Sequence, residues 1–379
     1  MLEALEKRGI IMAAIRFIKK NIVFCIAFLA AVITCFFVPP DSQYLTYFDW
    51  KTLACLFLTL AVVCALRNIK FFTIIARRLV LFSGHLRGLF LMLIFITFIG
   101  SMIIANDMAL ITFLPLGYYA LTTVGKEKYM AYLFILQNIS ANLGGMLTPF
   151  GNPQNLYLYS YFEIPTIEFC LIMLPAFLLA VGLLVIATLF VKKEELIIYD
   201  KFSQKLHKKK ALLYLILFAF SILIVFRVIP FMVGMIIVPL ILYIVDKEAL
   251  YMVDYGLLGT FFFFFIFAGN LSRIDAVNLF LSGLLEKNTL LVSALSCQGI
   301  SNVPSAILLS RFTLDYKSLL LGVNIGGTGT LIASLASLIT FNEFRILYPN
   351  KTKKYFWMFT GLNFAFLIIM LAFALIFLV

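Results

Sequence analysis

Charge is what this chain has least of. Asp, Glu, Lys and Arg make up 13% of its residues and hydrophobic side chains 63%, where a soluble domain carries about 25% charged residues. So thin a supply of charge cannot coat a water-exposed surface around 41 phenylalanines. A hydrocarbon surround needs no such coat. Histidine is nearly absent: His85 and His207 lie in basic stretches with no HExxH context, so the zinc-hydrolase pattern is missing. No Walker sequence occurs, which excludes direct drive by ATP. The six cysteines, Cys25, Cys35, Cys55, Cys64, Cys170 and Cys297, form no CxxC pair and all sit in apolar stretches. They read as small apolar side chains rather than metal ligands. No nucleophile–base pair, and no two Asp residues on facing spans, mark an intramembrane enzyme.

What is abundant is apolar length. A helix that crosses a bilayer needs about 20 apolar residues. Stretches 21–38, 50–66, 166–191, 211–226, 230–245, 256–270 and 355–379 meet or approach that need. Two more, near 129–160 and 318–342, are interrupted by Gly, Pro, Asn and Thr, and 88–124 and 288–312 fold back at a polar break. The basic residues fall on one side. Lys7, Arg8, Arg16, Lys19 and Lys20 precede the first span; Arg67, Lys70, Arg77, Arg78 and Arg87 follow the second; Lys192, Lys193 and Lys208 to Lys210 lie in the central loop. Segments 39–49 and 161–165 hold only Glu163 and Asp residues as charges. Positive residues stay inside, so the N-terminus and the central loop are expected in the cytoplasm, in a multi-pass cell (inner) membrane protein. The net charge of +12 is mostly this bias, and it argues against a nucleic-acid partner.

Stretch 88–124 then starts and ends inside, with Ala105-Asn106-Asp107 as its polar break, and 288–312 makes the same move from outside at Ser301-Asn302. The two halves match in order: two spans, a short amphipathic segment (68–84 and 271–284), a hairpin, a broken span and a closing span. Asn142-Leu143-Gly144-Gly145-Met146-Leu147-Thr148 reads against Asn324-Ile325-Gly326-Gly327-Thr328-Gly329-Thr330. The extra span 211–226 reverses the orientation of the second copy. The expected fold is an all-α polytopic membrane protein of two inverted repeats, each with a re-entrant helical hairpin and a broken transmembrane helix. It comprises about nine full spans plus two hairpins. Its parts are a cytoplasmic arm 1–20, repeat 21–191, a cytoplasmic loop and linker helix 192–229, and repeat 230–379.

A helix broken in mid-membrane leaves carbonyls and amides without partners, which is tolerable only beside protein or a water-filled cavity. Free N–H groups and the helix dipole attract anions; carbonyls and Asn or Ser oxygens suit a hard cation such as Na⁺. The residues so placed are Asn106, Asp107, Asn142, Gly144, Gly145, Thr148, Asn152 and Asn155 in the first half, and Ser301, Asn302, Asn324, Gly326, Gly327, Thr328 and Thr330 in the second. Each also has a plainer role: Asn106 or Asp107 as an N-cap, Thr148 and Thr330 as back-bonded hydroxyls, Asn152 and Asn155 as turn formers. The glycine pairs suit close helix packing. Arg273 and Asp275 read as a surface pair, and Phe261 to Phe265 as packing.

The tip Asn106-Asp107-Met108-Ala109, the run from Asn142 through Thr148-Pro149-Phe150-Gly151-Asn152-Pro153-Gln154-Asn155, the tip Ser301-Asn302-Val303-Pro304 and the run Gly326-Gly327-Thr328-Gly329-Thr330 together resemble the ion transporter superfamily. That group includes arsenite permeases, NhaD-type sodium/proton antiporters, citrate permeases and divalent anion/sodium symporters. The likeness spans nearly the whole chain and is strongest to a citrate-permease-like, anion-permease branch. In the sodium/dicarboxylate members each tip carries Ser-Asn-Thr. Asn106 and Asn302 match the central Asn, and Ser301 the Ser of the second tip. Ala105, Asp107 and Val303 depart from the pattern. The resemblance implies ion-coupled secondary transport of a small anion (a di- or tricarboxylate, sulfate or an arsenite-like ion) by alternating access. Na⁺ or H⁺ is the coupling ion, with Na⁺ held near Asn106, Asp107 and Asn302. It implies no catalytic residue, no organic cofactor and pairing into a homodimer. The alternatives from the residues are a Na⁺/H⁺ antiporter working through Asp107 and, remotely, an intramembrane enzyme.

Overall fold

The computed structural model describes residues 21–196 and 206–379; the arm 1–20 and part of the central loop lie outside the described residues. The described chain is helical. Helix α1 spans Ile22–Cys35, α2 Trp50–Asn68, α3 Phe71–Val80, α4 Leu86–Ile104 and α5 Asn106–Thr123. There follow α6 Met130–Gly144, α7 Pro153–Tyr161, α8 Thr166–Leu189 and α9 Lys208–Val225. The remainder are α10 Phe231–Val245, α11 Lys247–Tyr251, α12 Tyr255–Ser272, α13 Asp275–Ile300, α14 Asn302–Leu309, α15 Tyr316–Ile325, α16 Leu335–Leu347 and α17 Thr352–Phe377.

Local chemistry sets these ends. Asp49 and Asp254 cap α2 and α12, each accepting from the amide three residues on, as a preferred N-cap does. Pro153 opens α7 with Asn152 before it, where a missing N–H costs nothing. Helix α13 is two helices in one: Asn288 leaves helical geometry at φ −166° and ψ 93°. Its side chain accepts from Leu291 N at 2.7 Å, so it ends the amphipathic part and caps the hairpin arm beyond.

Among the described residues, five helical stretches are long and apolar enough to cross a membrane: Trp50–Asn68, Leu86–Ile104, Thr166–Leu189, Lys247–Ser272 and Pro349–Phe377. The shorter apolar helices Ile22–Cys35 and Phe231–Val245 stand beside them. Nine full-length spans were expected from hydropathy. Several apolar stretches make shorter helices; α10, for one, is bounded by Pro230 and Asp246. The second broken element also runs further than expected, from Tyr316 to Leu347.

The helices pack in reciprocal pairs. Helix α1 lies against α12 and α10 against α2; α16 lies on α5 and α6, and α7 on α14 and α15. Loops gather on two faces. On one, Leu86 N bonds Glu194 O at 2.8 Å, Arg87 Nε bonds Val191 O at 2.9 Å and Lys126 pairs with Glu194. On the other, Arg273 binds Asp41 at 2.6 Å and the Tyr47 hydroxyl at 3.0 Å, and Arg311 donates to Tyr47 O at 2.6 Å. The expected Arg273 and Asp275 pair is therefore not formed. Arg273 reaches across to the strap 41–47, where an exposed carboxylate presents both oxygens to its planar fork.

Candidate functional site

The two hairpin tips have one geometry. Ala105 joins α4 to α5 at φ 65° and ψ 153°; Ser301 joins α13 to α14 at φ 75° and ψ 158°. Residues other than glycine rarely adopt this conformation, and it costs on the order of 1–3 kcal/mol. Right after each tip an asparagine carbonyl accepts from the next amide: Asp107 N to Asn106 Oδ1 and Val303 N to Asn302 Oδ1, both at 2.9 Å. The breaks are tied to the tips alike. Thr148 Oγ1 donates to Met102 O at 2.8 Å and Thr330 Oγ1 to Gln298 O at 2.9 Å, each acceptor three residues before its tip. These threonines bond the facing hairpin, not their own helix.

The glycines permit this closeness. A Cβ on Gly144 would strike the Phe98 carbonyl, and one on Gly326 would come within 2.8 Å of the Ala294 Cα. Gly145 abuts the Asn152 side chain, and Gly327 lies 3.1 Å from Asn302 Nδ2 by the same measure.

Asparagines join the halves at the centre. Asn142 Oδ1 accepts from Asn106 Nδ2 at 3.1 Å and from Ser334 Oγ at 2.8 Å. Asn324 Oδ1 accepts from Asn152 Nδ2 at 3.4 Å and from Gln154 Nε2 at 3.5 Å, and Asn324 Nδ2 donates to Asn155 Oδ1 at 2.6 Å. Asn152 and Ser334 are the residues that precede α7 and α16, so the start of α7 reaches Asn324 near the end of α15 and the start of α16 reaches Asn142 near the end of α6. All of these side chains are buried.

The carbonyls expected to be free at the breaks are taken. Asn155 Nδ2 donates to Gly145 O, Met146 O and Thr148 O at 3.1 to 3.3 Å; Gln298 Nε2 donates to Gly326 O and Thr328 O at 2.9 and 3.0 Å. Buried carbonyls demand partners, and nearby amides meet the demand. Thr328 Oγ1 bonds its own helix at Ile325 O, 2.7 Å. Among the residues of the first tip and the first break, four buried atoms stay without a partner: Asp107 Oδ1, Asn142 Nδ2, Asn152 Oδ1 and Gln154 Oε1. Donor and acceptors both remain available, in a place where an unmet group costs about 1–3 kcal/mol. No group of three or more His, Cys, Asp or Glu suits a metal ion among the described residues.

Gln154, Gln298 and Ser334 were not singled out in the sequence. Gln154 stood inside the quoted motif. Gln298 had a weaker signal, an uncharged polar residue in an apolar arm. Ser334 had none, since its partner Asn142 is 192 residues away. Asn138 is a further omission: fully buried, it bonds Ser337 and Asn363, both at 3.3 Å.

Long apolar helices around a buried core of amides are those of a multi-pass membrane protein. Residues 9–317 match the model of the CitMHS citrate transporter family, and the chain belongs to that family. It is 35% identical over 294 residues to an uncharacterized transporter of Methanocaldococcus jannaschii, covering 77% of this chain and 80% of that one. Inner membrane protein YbiR of Escherichia coli is 27% identical over 337 residues, 86% and 88% of the two chains. The silicon efflux transporter LSI3 of Oryza sativa subsp. japonica is 32% identical over 160 residues, 41% of this chain and 32% of its own.

Proposed function

We propose that this protein carries a small anion, with citrate and related carboxylates first among the candidates, across the cell membrane by ion-coupled alternating access. The single observation that carries the reading is the meeting of two like tips with two like breaks around unpartnered buried donors and acceptors. An anion can accept from Asn142 Nδ2 while a cation or proton meets the oxygens of Asp107, Asn152 and Gln154. The family description supports citrate.

Two inverted repeats account for the matched details. Tip conformation, threonine ties and the reciprocal pairing of α1 with α12 and α10 with α2 all follow from one pseudo-two-fold relation. Tips that bond the breaks, as Asn106 bonds Asn142, favour re-entrant hairpins over full spans. The gathering of Leu86, Lys126 and Glu194 on one face favours the positive-inside topology, with the N-terminus cytoplasmic. Pairing of two copies, as in the dicarboxylate members, completes the proposal.

Asp107 also supports the Na⁺/H⁺ exchange reading. One experiment separates the two: proteoliposomes given citrate, succinate, sulfate and arsenite under imposed Na⁺ or H⁺ gradients. Gradient-driven uptake of at least one anion is the expected result. Na⁺/H⁺ exchange with no uptake of any of them would replace this proposal with the antiporter.

A further inference from the structure

Gln298 gathers three backbone carbonyls around its side-chain amide. On the hairpin arm of α13, its Nε2 faces three backbone carbonyls: Gly326 O at 2.9 Å, Thr328 O at 3.0 Å and Ala294 O at 3.1 Å. The orientation of the amide is fixed from its other end. The backbone N–H of Thr330 can only donate, and it lies 2.9 Å from Gln298 Oε1, so the NH₂ group must face the carbonyls. The loop is shaped for it: Gly329 sits at φ 117°, and a Cβ there would strike Gln298 Oε1.

Two of the three oxygens follow the C-terminal end of α15, where the helix dipole is negative. Three carbonyls converging at about 3 Å on one point form the oxygen shell that selectivity sites offer a monovalent cation. Here a neutral amide occupies that point, with two hydrogens for three acceptors. The first break repeats the device with Asn155, whose Nδ2 meets Gly145 O, Met146 O and Thr148 O. Its orientation is also fixed: Asn324 Nδ2 donates to Leu320 O at 2.8 Å, so Asn155 must present oxygen to Asn324 and nitrogen to the break.

We infer that Gln298 is a specificity-determining residue that fills, with its own amide, a seat a monovalent cation would otherwise take at the second break. The second half is thereby held together without an ion, and the break adds no cation to the coupling stoichiometry. That consequence rests on the transport reading. The test does not, because it is made on purified protein with no solute present.

The experiment compares thermal unfolding of wild type, Gln298→Ser and Gln298→Met in K⁺, in Na⁺ and in choline at equal ionic strength. Gln298→Ser empties the point on which the three carbonyls converge, whereas Gln298→Met fills it with an apolar side chain. The Gln298→Ser midpoint is expected to rise by roughly 5 °C more in K⁺ or Na⁺ than the wild-type midpoint does. Gln298→Met loses the same bonds and gains no such dependence. An equal shift in wild type and Gln298→Ser overturns the inference, as does an equal shift in Gln298→Met and Gln298→Ser. Should Gln298→Ser not accumulate in the membrane, Gln298→Ala empties the same point and is read the same way. Cation-specific stabilisation beyond that of wild type supports the filled seat, and its absence overturns it.

Discussion

Asp107 is the acidic residue placed where the first tip meets the protein centre, and its Oδ1 is buried without a hydrogen-bond partner. An ionised, unpaired carboxylate is costly in such a place, and a bound proton or cation would offset that cost. Asp107→Asn keeps the shape and capping capacity of the tip but cannot change charge. Gradient-driven accumulation in proteoliposomes is expected to fall roughly 10–100-fold, while exchange of labelled for unlabelled substrate persists. Accumulation at the wild-type level would remove Asp107 from the coupling. One residue earlier, Ala105 holds φ 65° in a region that suits glycine. Ala105→Gly is expected to raise the unfolding midpoint by a few degrees, since strain on the order of 1–3 kcal/mol is relieved. Ala105→Val is expected to lower it. A midpoint indifferent to both changes would show that the tip carries no strain.

The strap around Ser42–Tyr47 shows how a short element is held from several sides. Its Asp41 carboxylate binds Arg273, whose guanidinium also reaches the Tyr47 hydroxyl, while Arg311 holds the Tyr47 carbonyl. The hydrogen bond from Arg273 keeps the Asp41 carboxyl below its ordinary value of 3.8. A depressed carboxylate contributes stability above its unfolded value, and that contribution is lost as pH falls through the folded one. The strap should therefore be protected at neutral pH and loosen below about pH 4. Protease cleavage between Ser42 and Tyr47 reads this. Wild type is expected to resist at neutral pH and yield in acid, whereas Asp41→Asn is cleaved alike at both. Equal resistance of Asp41→Asn at neutral pH would assign the strap to Arg311 and Tyr47 alone.

Across the molecule the two halves do not pack identically. Helix α7 rests on α2 and α14 on α12, whereas, among the described residues, α16 has no comparable seat on α12, nor α5 on α2. Tyr157 of α7 lies 5.6 Å from Phe265 of α12 between ring centroids. If transport exchanges these contacts, a reducible bifunctional thiol cross-linker that spans the two side chains, joining cysteines at 157 and 265, locks the present arrangement. Uptake should then stop on cross-linking and return on reduction. Undiminished uptake by the cross-linked protein would show that this seam does not move. Cysteines introduced at Leu45 and Lys208 add the sidedness: Leu45 is expected to label from outside and Lys208 from the cytoplasm. Labelling of Lys208 from outside only would reverse the topology.

Much of this was legible in the residues one after another. The polar breaks at Ala105 and Ser301 and the helix interruptions after Gly144 and Ile325 follow from local composition. Lipid demands long apolar stretches and tolerates polar breaks only for a reason. Partnership was not legible. Arg273 has Asp275 two residues away and chooses Asp41, 232 residues distant, because the loop beyond α12 faces the strap. The break carbonyls looked free in sequence because the amides that satisfy them, those of Asn155 and Gln298, approach through the fold. Composition and periodicity thus determined that the chain lives in a membrane, where its helices bend and which asparagines mark the bends. Only the tertiary structure decided which buried polar atoms are consumed by one another and which few remain without a partner. A hydrogen bond depends on where two groups meet in space, and at this centre most of the meetings join residues far apart in the chain.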